Sequence, residues 1–305
     1  MNHLDRRKFL GSLCAATCAY TLMSRISQAA VPSPRIVALE WRYADHARSL
    51  GVTPVGIADL GEYARQSSVD RKELEASGTV DLGRRQEPSM EAIIAARPDL
   101  ILGVNFRHER ILPQLSGIAD TVLYKYTQTG SDNVDQLALM LDELRELGEK
   151  IGRADAARTA TVGLDDFLAK QSKKLASGQV SARRIVFAQF PSGVNNVRLF
   201  SSNSLPVQLL DRLGLVNAWT GRSEGFGFTT VGPERLLVLG DVTFLGVAVG
   251  SDNSYTRLAK NPLWQSLPFV RSHKFHALTD VVWPFGGVPA AQAFAGKVAE
   301  TLLPS

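Results

Sequence analysis

The stretch "RIVALEWRYADHARSLGVTPVGIAD", residues 35–59, decides the fold. Arg35 to Leu39 is an apolar run of the length of one buried strand, and Tyr43 to Leu50 alternates apolar and polar residues at helical spacing. Gly51 follows at the position where helices commonly stop in a left-handed turn. Val52 to Ile57 then reads as a second strand. Strand, helix and strand in that order form the building unit of a parallel α/β sheet.

The unit returns later in the chain. "RRIVFAQF" (183–190) is again a strand, "SLPVQLLDRLG" (204–214) again a helix closed by Leu-Gly, and "LVNAW" (215–219) follows it. A second pair matches in the same way. "EPSMEAIIAARPDLILG" (87–103) and "VGPERLLVLGDVTFLG" (231–246) each run from a proline through Glu91 or Glu234 into an apolar helix. Each then passes an aspartate and enters a strand ending at Gly103 or Gly246. The spacing between partners is unequal, so an architecture is repeated with different loops; the alternative is the ordinary strand-helix grammar of any α/β protein. Between the halves, residues 133–152 and 153–178 carry helical patterns without strands, and Leu137, Leu141, Leu144 and Leu147 share one face of the first. The second, Ala154 to Ala176, would reach roughly 35 Å at 1.5 Å per residue. The expected fold is α/β, with two similar lobes joined by a single long helix, a ligand cleft between them and modest hinge motion. The predicted boundaries are an N-terminal lobe at 30–152, a linker helix at 153–177 and a C-terminal lobe at 178–305.

The first residues stand apart from this pattern. "DRRKFLGSLCAATCAYTLMSRISQAA" (5–30) combines the twin Arg6-Arg7, Phe9-Leu10, a weakly apolar stretch to Met23 and small residues around Ala29. That is the pattern of a twin-arginine export signal over residues 1–29, and it predicts a periplasmic mature chain; the alternative is a basic cytoplasmic tail. Cys14 and Cys18 both lie inside it, and neither follows the Gly or Ala of a lipoprotein site. The mature chain therefore has no cysteine for a disulfide or a thiolate metal site. The signal also carries a net +3 of the formal +4, so the basic balance does not argue for nucleic acid. With 45% hydrophobic and 21% charged residues among 305, the remainder has the composition of a folded globular protein.

No nucleophile elbow, zinc-binding helix motif or glycine-rich phosphate loop is present, and His3, His46, His108, His273 and His276 are scattered. No metal site or permanently bound cofactor is expected. In open α/β sheets ligands bind beyond the carboxyl ends of strands. Trp41, Arg84, Arg85, Phe106 and Arg107 stand at such ends in the first half. Phe226 and Phe228 in "SEGFGFTT", and Trp283 and Phe285 in "DVVWPFGGVP", do so in the second. These nine are the candidate ligand contacts. Each has a packing alternative, which for Arg84 or Arg85 is an ion pair with Glu87. Trp219 and Trp264 are assigned to packing.

"RIVALEW", "GRRQEPSMEAI", "NAWTGRSEGFGFTTV" and "VVWPFGG" occur in this order over essentially the whole mature chain. Together they resemble the periplasmic ferric hydroxamate binding proteins of ferrichrome uptake, a branch of the helix-linked class III substrate-binding proteins of ABC importers. The resemblance implies a monomer that receives an iron(III) siderophore in its cleft and docks on an inner-membrane permease. It makes Arg85 the arginine that hydrogen-bonds the chelating oxygens, with Phe226, Trp283 and Phe285 as cleft aromatics. It places Glu109 and Glu234 at the permease. The chain departs from the family in lacking the first-lobe tyrosine that partners this arginine, Phe106 or Arg107 standing there, and in carrying Gln66 at a tryptophan position. A lost hydroxyl and an added cation leave citrate-type and catecholate ligands open. Haem and cobalamin capture share the architecture, with Tyr63 and His108 as loop candidates for an axial haem ligand. An exported enzyme is the reading of another class.

Overall fold

The computed structural model describes residues 33–303, except 68, 127–133, 179, 181–182, 222–224, 251 and 279–282. The export signal assigned to residues 1–29 lies outside the described residues. Among those residues no helix is long and apolar enough to cross a membrane.

The opening segment forms its elements in the expected order with shorter strands. β1 (Ile36–Ala38) leads into helix α1 (Trp41–Ser49), and β2 (Gly56–Ile57) returns parallel to β1. Gly51 takes φ +74°, the left-handed turn that ends the helix. Helices α2 (Leu60–Ser67) and α3 (Arg71–Ala76) precede β3 (Val80–Asp81). A small antiparallel hairpin of β4 (Gly83–Arg84) and β5 (Glu87–Pro88) and helix α4 (Met90–Ala96) come next. β6 (Leu100–Val104), α5 (Asn105–His108), α6 (Leu112–Ser116) and β7 (Asp120–Tyr124) complete the lobe. Its sheet is wholly parallel, in the order β3-β2-β1-β6-β7.

Two helices then lead across, α7 (Gln136–Lys150) and the 24-residue α8 (Ala154–Ser177). The second lobe runs through β8 (Arg184–Phe190), β9 (Val197–Phe200), α9 (Leu205–Arg212), β10 (Val216–Asn217) and β11 (Phe228–Val231). β12 (Thr243–Ala248), the short helices α10 (Ser254–Leu258), α11 (Pro262–Ser266) and α12 (Pro268–Arg271), β13 (Phe275–Ala277) and α13 (Val288–Leu302) finish the chain.

The repetition is carried by the parallel strands: β2-β1-β6-β7 in the first lobe corresponds to β10-β8-β12-β13 in the second. The lobes differ because the second inserts β9, which pairs antiparallel with the far half of β8, and β11, which pairs antiparallel with β9, while β10 pairs only the start of β8. One expected helix is different in kind. Pro233–Leu239 is a 3₁₀ helix, whose three-residue repeat buries Leu236 and Leu239 and leaves Leu237 and Val238 exposed.

Strand alternation divides the core. Ile36 and Ala38, Leu100 and Leu102, and Ile185 and Phe187 face a central apolar cluster shared with α7, α8 and α13. Their neighbours face outward clusters, Val37 and Ile101 with Leu82 and Ile93 in one lobe, Val186 and Phe244 with Trp219 and Trp264 in the other. Strands covered on both faces read as continuous apolar runs, which is why they were legible. The fold is two α/β lobes joined by a long helix, with α13 packed back on α8 and α1.

Candidate functional site

The carboxyl ends of β1 and β6, the turn between β4 and β5, and the loop before α13 converge on one cavity of about 310 Å³. Its centre is Arg85. The guanidinium lies 3.7 Å above the Trp41 ring and 5.0 Å from that of Trp283, two indoles from opposite lobes that meet edge to face at 4.6 Å. Two carboxylates hold the charged head: Nε donates to Asp59 at 3.2 Å and Nη1 to Glu40 at 3.3 Å. Glu87, the partner considered from the sequence, shares only the backbone pairing of the hairpin with Arg84. Glu40 also accepts from Arg107 Nε at 2.5 Å, so one half-buried carboxylate bridges two arginines.

The Arg85 main chain is fixed separately. His108 is fully buried; its Nδ1 accepts the Val104 amide at 3.0 Å and its Nε2 donates to the Arg85 carbonyl at 2.9 Å. Burial lowers the imidazole below its ordinary range, so both bonds are made by the neutral ring. The approach requires Gly103, where an added Cβ would stand 2.9 Å from His108 Nδ1 and 2.8 Å from Leu123. Tyr63, the other haem-ligand candidate, is buried in α2 and donates to Asp45 at 2.9 Å. Neither residue lies in a free loop, and neither has a group to offer an iron.

Of the nine expected contacts, Arg85, Phe106, Arg107, Phe226, Phe228, Trp283 and Phe285 line the cavity. Phe106 of one lobe meets Phe226 of the other edge to face at 5.2 Å. Two are corrected. Trp41 is 2% exposed, donates Nε1 to the Ala58 carbonyl and lies beneath Arg85 as its support. Arg84 is exposed on the hairpin, since consecutive residues of an extended strand point to opposite sides. Gln66, at the missing tryptophan position, is buried in α2 against Glu62 and does not line the cavity.

Other lining residues were not read from the sequence. Glu40, Arg42, Tyr43, Tyr126 and Arg198 all face the cavity. Arg42 is buried; it pairs with Glu143 at 3.2 Å, donates to the Phe285 carbonyl at 3.1 Å and lies 4.4 Å from the Tyr126 ring. Tyr126, just beyond β7, returns to the cleft a first-lobe phenol that position 106 lacks, and burial raises its pKa so that it remains a donor. The strand-end rule applied to β7 would have found it. Arg198 lies within β9, an inserted strand, where that rule gives no signal. Among the described residues no cluster of His, Cys, Asp and Glu could hold a metal ion.

An arrangement of planar cationic donors among aromatic faces, with no protein ligands for a metal, suits recognition of the outside of a polar chelate. Comparison with known proteins agrees in kind. The chain is 28% identical to the iron(3+)-hydroxamate-binding protein FhuD of Escherichia coli over 95% of this chain and 94% of that protein. It is 27% identical to the Fe(3+) dicitrate-binding periplasmic protein FecB of the same organism over 86% and 82%. The crystal structure of Fe3+-Desferal-bound FhuD from Vibrio cholerae superposes with a TM-score of 0.76 at 24% identity, covering 89% of this chain and all of that one. Residues 36–282 match the family described as periplasmic binding protein, whose members bind substrates rather than convert them. The match runs from the first strand of one lobe to the edge of the cleft loop of the other, and the chain belongs to the periplasmic binding protein family.

Proposed function

We propose that this protein captures an iron(III) siderophore of the hydroxamate type between its lobes and delivers it to an ABC permease. The observation that carries the reading is Arg85, clamped between Trp41 and Trp283 and aimed into an aromatic cavity. Iron(III) in a siderophore already has its oxygen ligands, so the protein needs donors for the chelate's outer oxygens and aromatic faces for its apolar frame. Arg85, Arg107 and Tyr126 supply the first; Phe106, Phe226, Phe228, Trp283 and Phe285 supply the second. The named ligands of the relatives, ferric hydroxamate and ferric dicitrate, support the class. The cations Arg107 and Arg198 favour a citrate-type chelate as the second reading.

The same proposal places the mature chain in the periplasm as a monomer, exported by residues 1–29, with lobes 30–152 and 178–305 around the linker 153–177. Glu109 and Glu234 are the docking carboxylates. Both are exposed, one on each lobe, and neither has an ion-pair partner among the described residues. Adding ferrichrome to the purified protein should quench tryptophan fluorescence saturably, because Trp283 borders the cavity, and iron should co-elute with the protein. The absence of both quenching and co-elution, with ferrichrome and with ferric dicitrate alike, would overturn the proposal.

A further inference from the structure

Glu40 occupies the N-cap of α1, a position favoured by short polar side chains that bond the first free amides. Its carboxylate makes no such bond. Instead it turns into the cleft and is shared by Arg85 and Arg107. With Asp59 on the other side of Arg85, these four groups form a set of two cations and two anions. The Arg42–Glu143 pair is balanced as well. Among the described lining residues that leaves Arg198. It hydrogen-bonds the neutral Gln189 at 2.9 Å and lies 4.8 Å from the Phe228 ring, and burial alone acts on its pKa, with no carboxylate opposing the lowering. An arginine-lined cleft thus carries a surplus of one positive charge rather than four.

We propose that Glu40 is a specificity-determining residue that fits this cleft to iron(III) chelates of zero or single negative charge and disfavours trianionic ones. The inference rests on the siderophore reading. Three hydroxamates, each of one negative charge, neutralise iron(III), whereas three doubly charged catecholates leave a trianion. A half-buried carboxylate fixed between the two chelate-facing arginines costs the neutral complex little and repels the trianion strongly, since charges in such a site are poorly screened.

The test compares dissociation constants of ferrichrome, a neutral trihydroxamate, and ferric enterobactin, a trianionic tris-catecholate, for the wild type and Glu40→Gln. Gln keeps the size and the hydrogen-bonding oxygen and removes the charge. The wild type should favour ferrichrome by about 100-fold, and Glu40→Gln should narrow that ratio about 10- to 100-fold, chiefly by gained affinity for the trianion. An unchanged ratio, or both affinities falling together as for a structural lesion, would overturn the assignment. The wild-type comparison decides even where the variant does not fold, since equal or tighter binding of ferric enterobactin is incompatible with it. A wild type that binds ferric enterobactin alone overturns the inference and the hydroxamate assignment but spares capture of an iron(III) siderophore; one that binds neither chelate nor ferric dicitrate overturns both.

Discussion

Arg85 has two duties that a single substitution separates. Its guanidinium faces the cavity, and it also neutralises Glu40 and Asp59, which are 13% and 27% exposed. Arg85→Ala is expected to weaken ferric hydroxamate binding by roughly 1.5 to 3 kcal/mol, the scale of a hydrogen bond to a charged group. It should also lower stability by about 1 to 2 kcal/mol, because Asp59 loses its arginine and Glu40 one of its two. Titration well below the unfolding range measures the first and thermal unfolding the second. Lost stability with unchanged affinity would leave Arg85 only the duty of holding its two acids. That Arg85 belongs to the cleft was legible because it ends a strand-and-turn segment. Its true partners were not, since Glu40 and Asp59 are distant in sequence and only the sheet brings them together.

At the scale of elements, the four-residue helix α5 locks the end of β6 to the Arg85 turn through His108. The imidazole's pKa lies below its ordinary 6.5, so just below that pH the unfolded chain binds more protons than the folded one. Stability therefore falls as pH drops from about 6.5, and a protonated Nδ1 would oppose the Val104 amide donor-to-donor. Thermal midpoints of the wild type should decline between about pH 7 and pH 5, and those of His108→Gln, which cannot titrate there, should decline less. Parallel slopes would remove His108 from the pH response. Elements with a strong period, such as β6, β8 and α8, could be read directly from the chain. The 3₁₀ form of Pro233–Leu239 and the inserted β9 and β11 could not. The first differs from an α-helix by one residue of spacing, and of the others β9 owes its place to pairing with β8 and β11 to pairing with β9.

At the scale of the whole molecule, the proposed docking carboxylates and the cavity lie on different surfaces. Charge reversal at Glu109 and Glu234 together should abolish siderophore-dependent growth while the purified double variant binds its ligand as the wild type does. Normal uptake by that variant would remove both residues from the docking face and leave the cleft untouched. Polar links also tie the lobes, among them the Gly287 amide on Asp45 at 2.9 Å and the Gln208 side chain on the amide of Leu137. The final helix, α13, extends the same union, packing Ala291, Phe294 and Val298 into the central cluster with residues of α1 and α8. This has a consequence for biosynthesis. Domains commonly fold one after another as the ribosome delivers them, but here the first lobe waits for residues made more than a hundred positions after it. Its central core closes only once α13 has been made, and a nascent chain halted before Val288 holds an unfinished interior, a substrate for chaperones rather than a half-built binding protein.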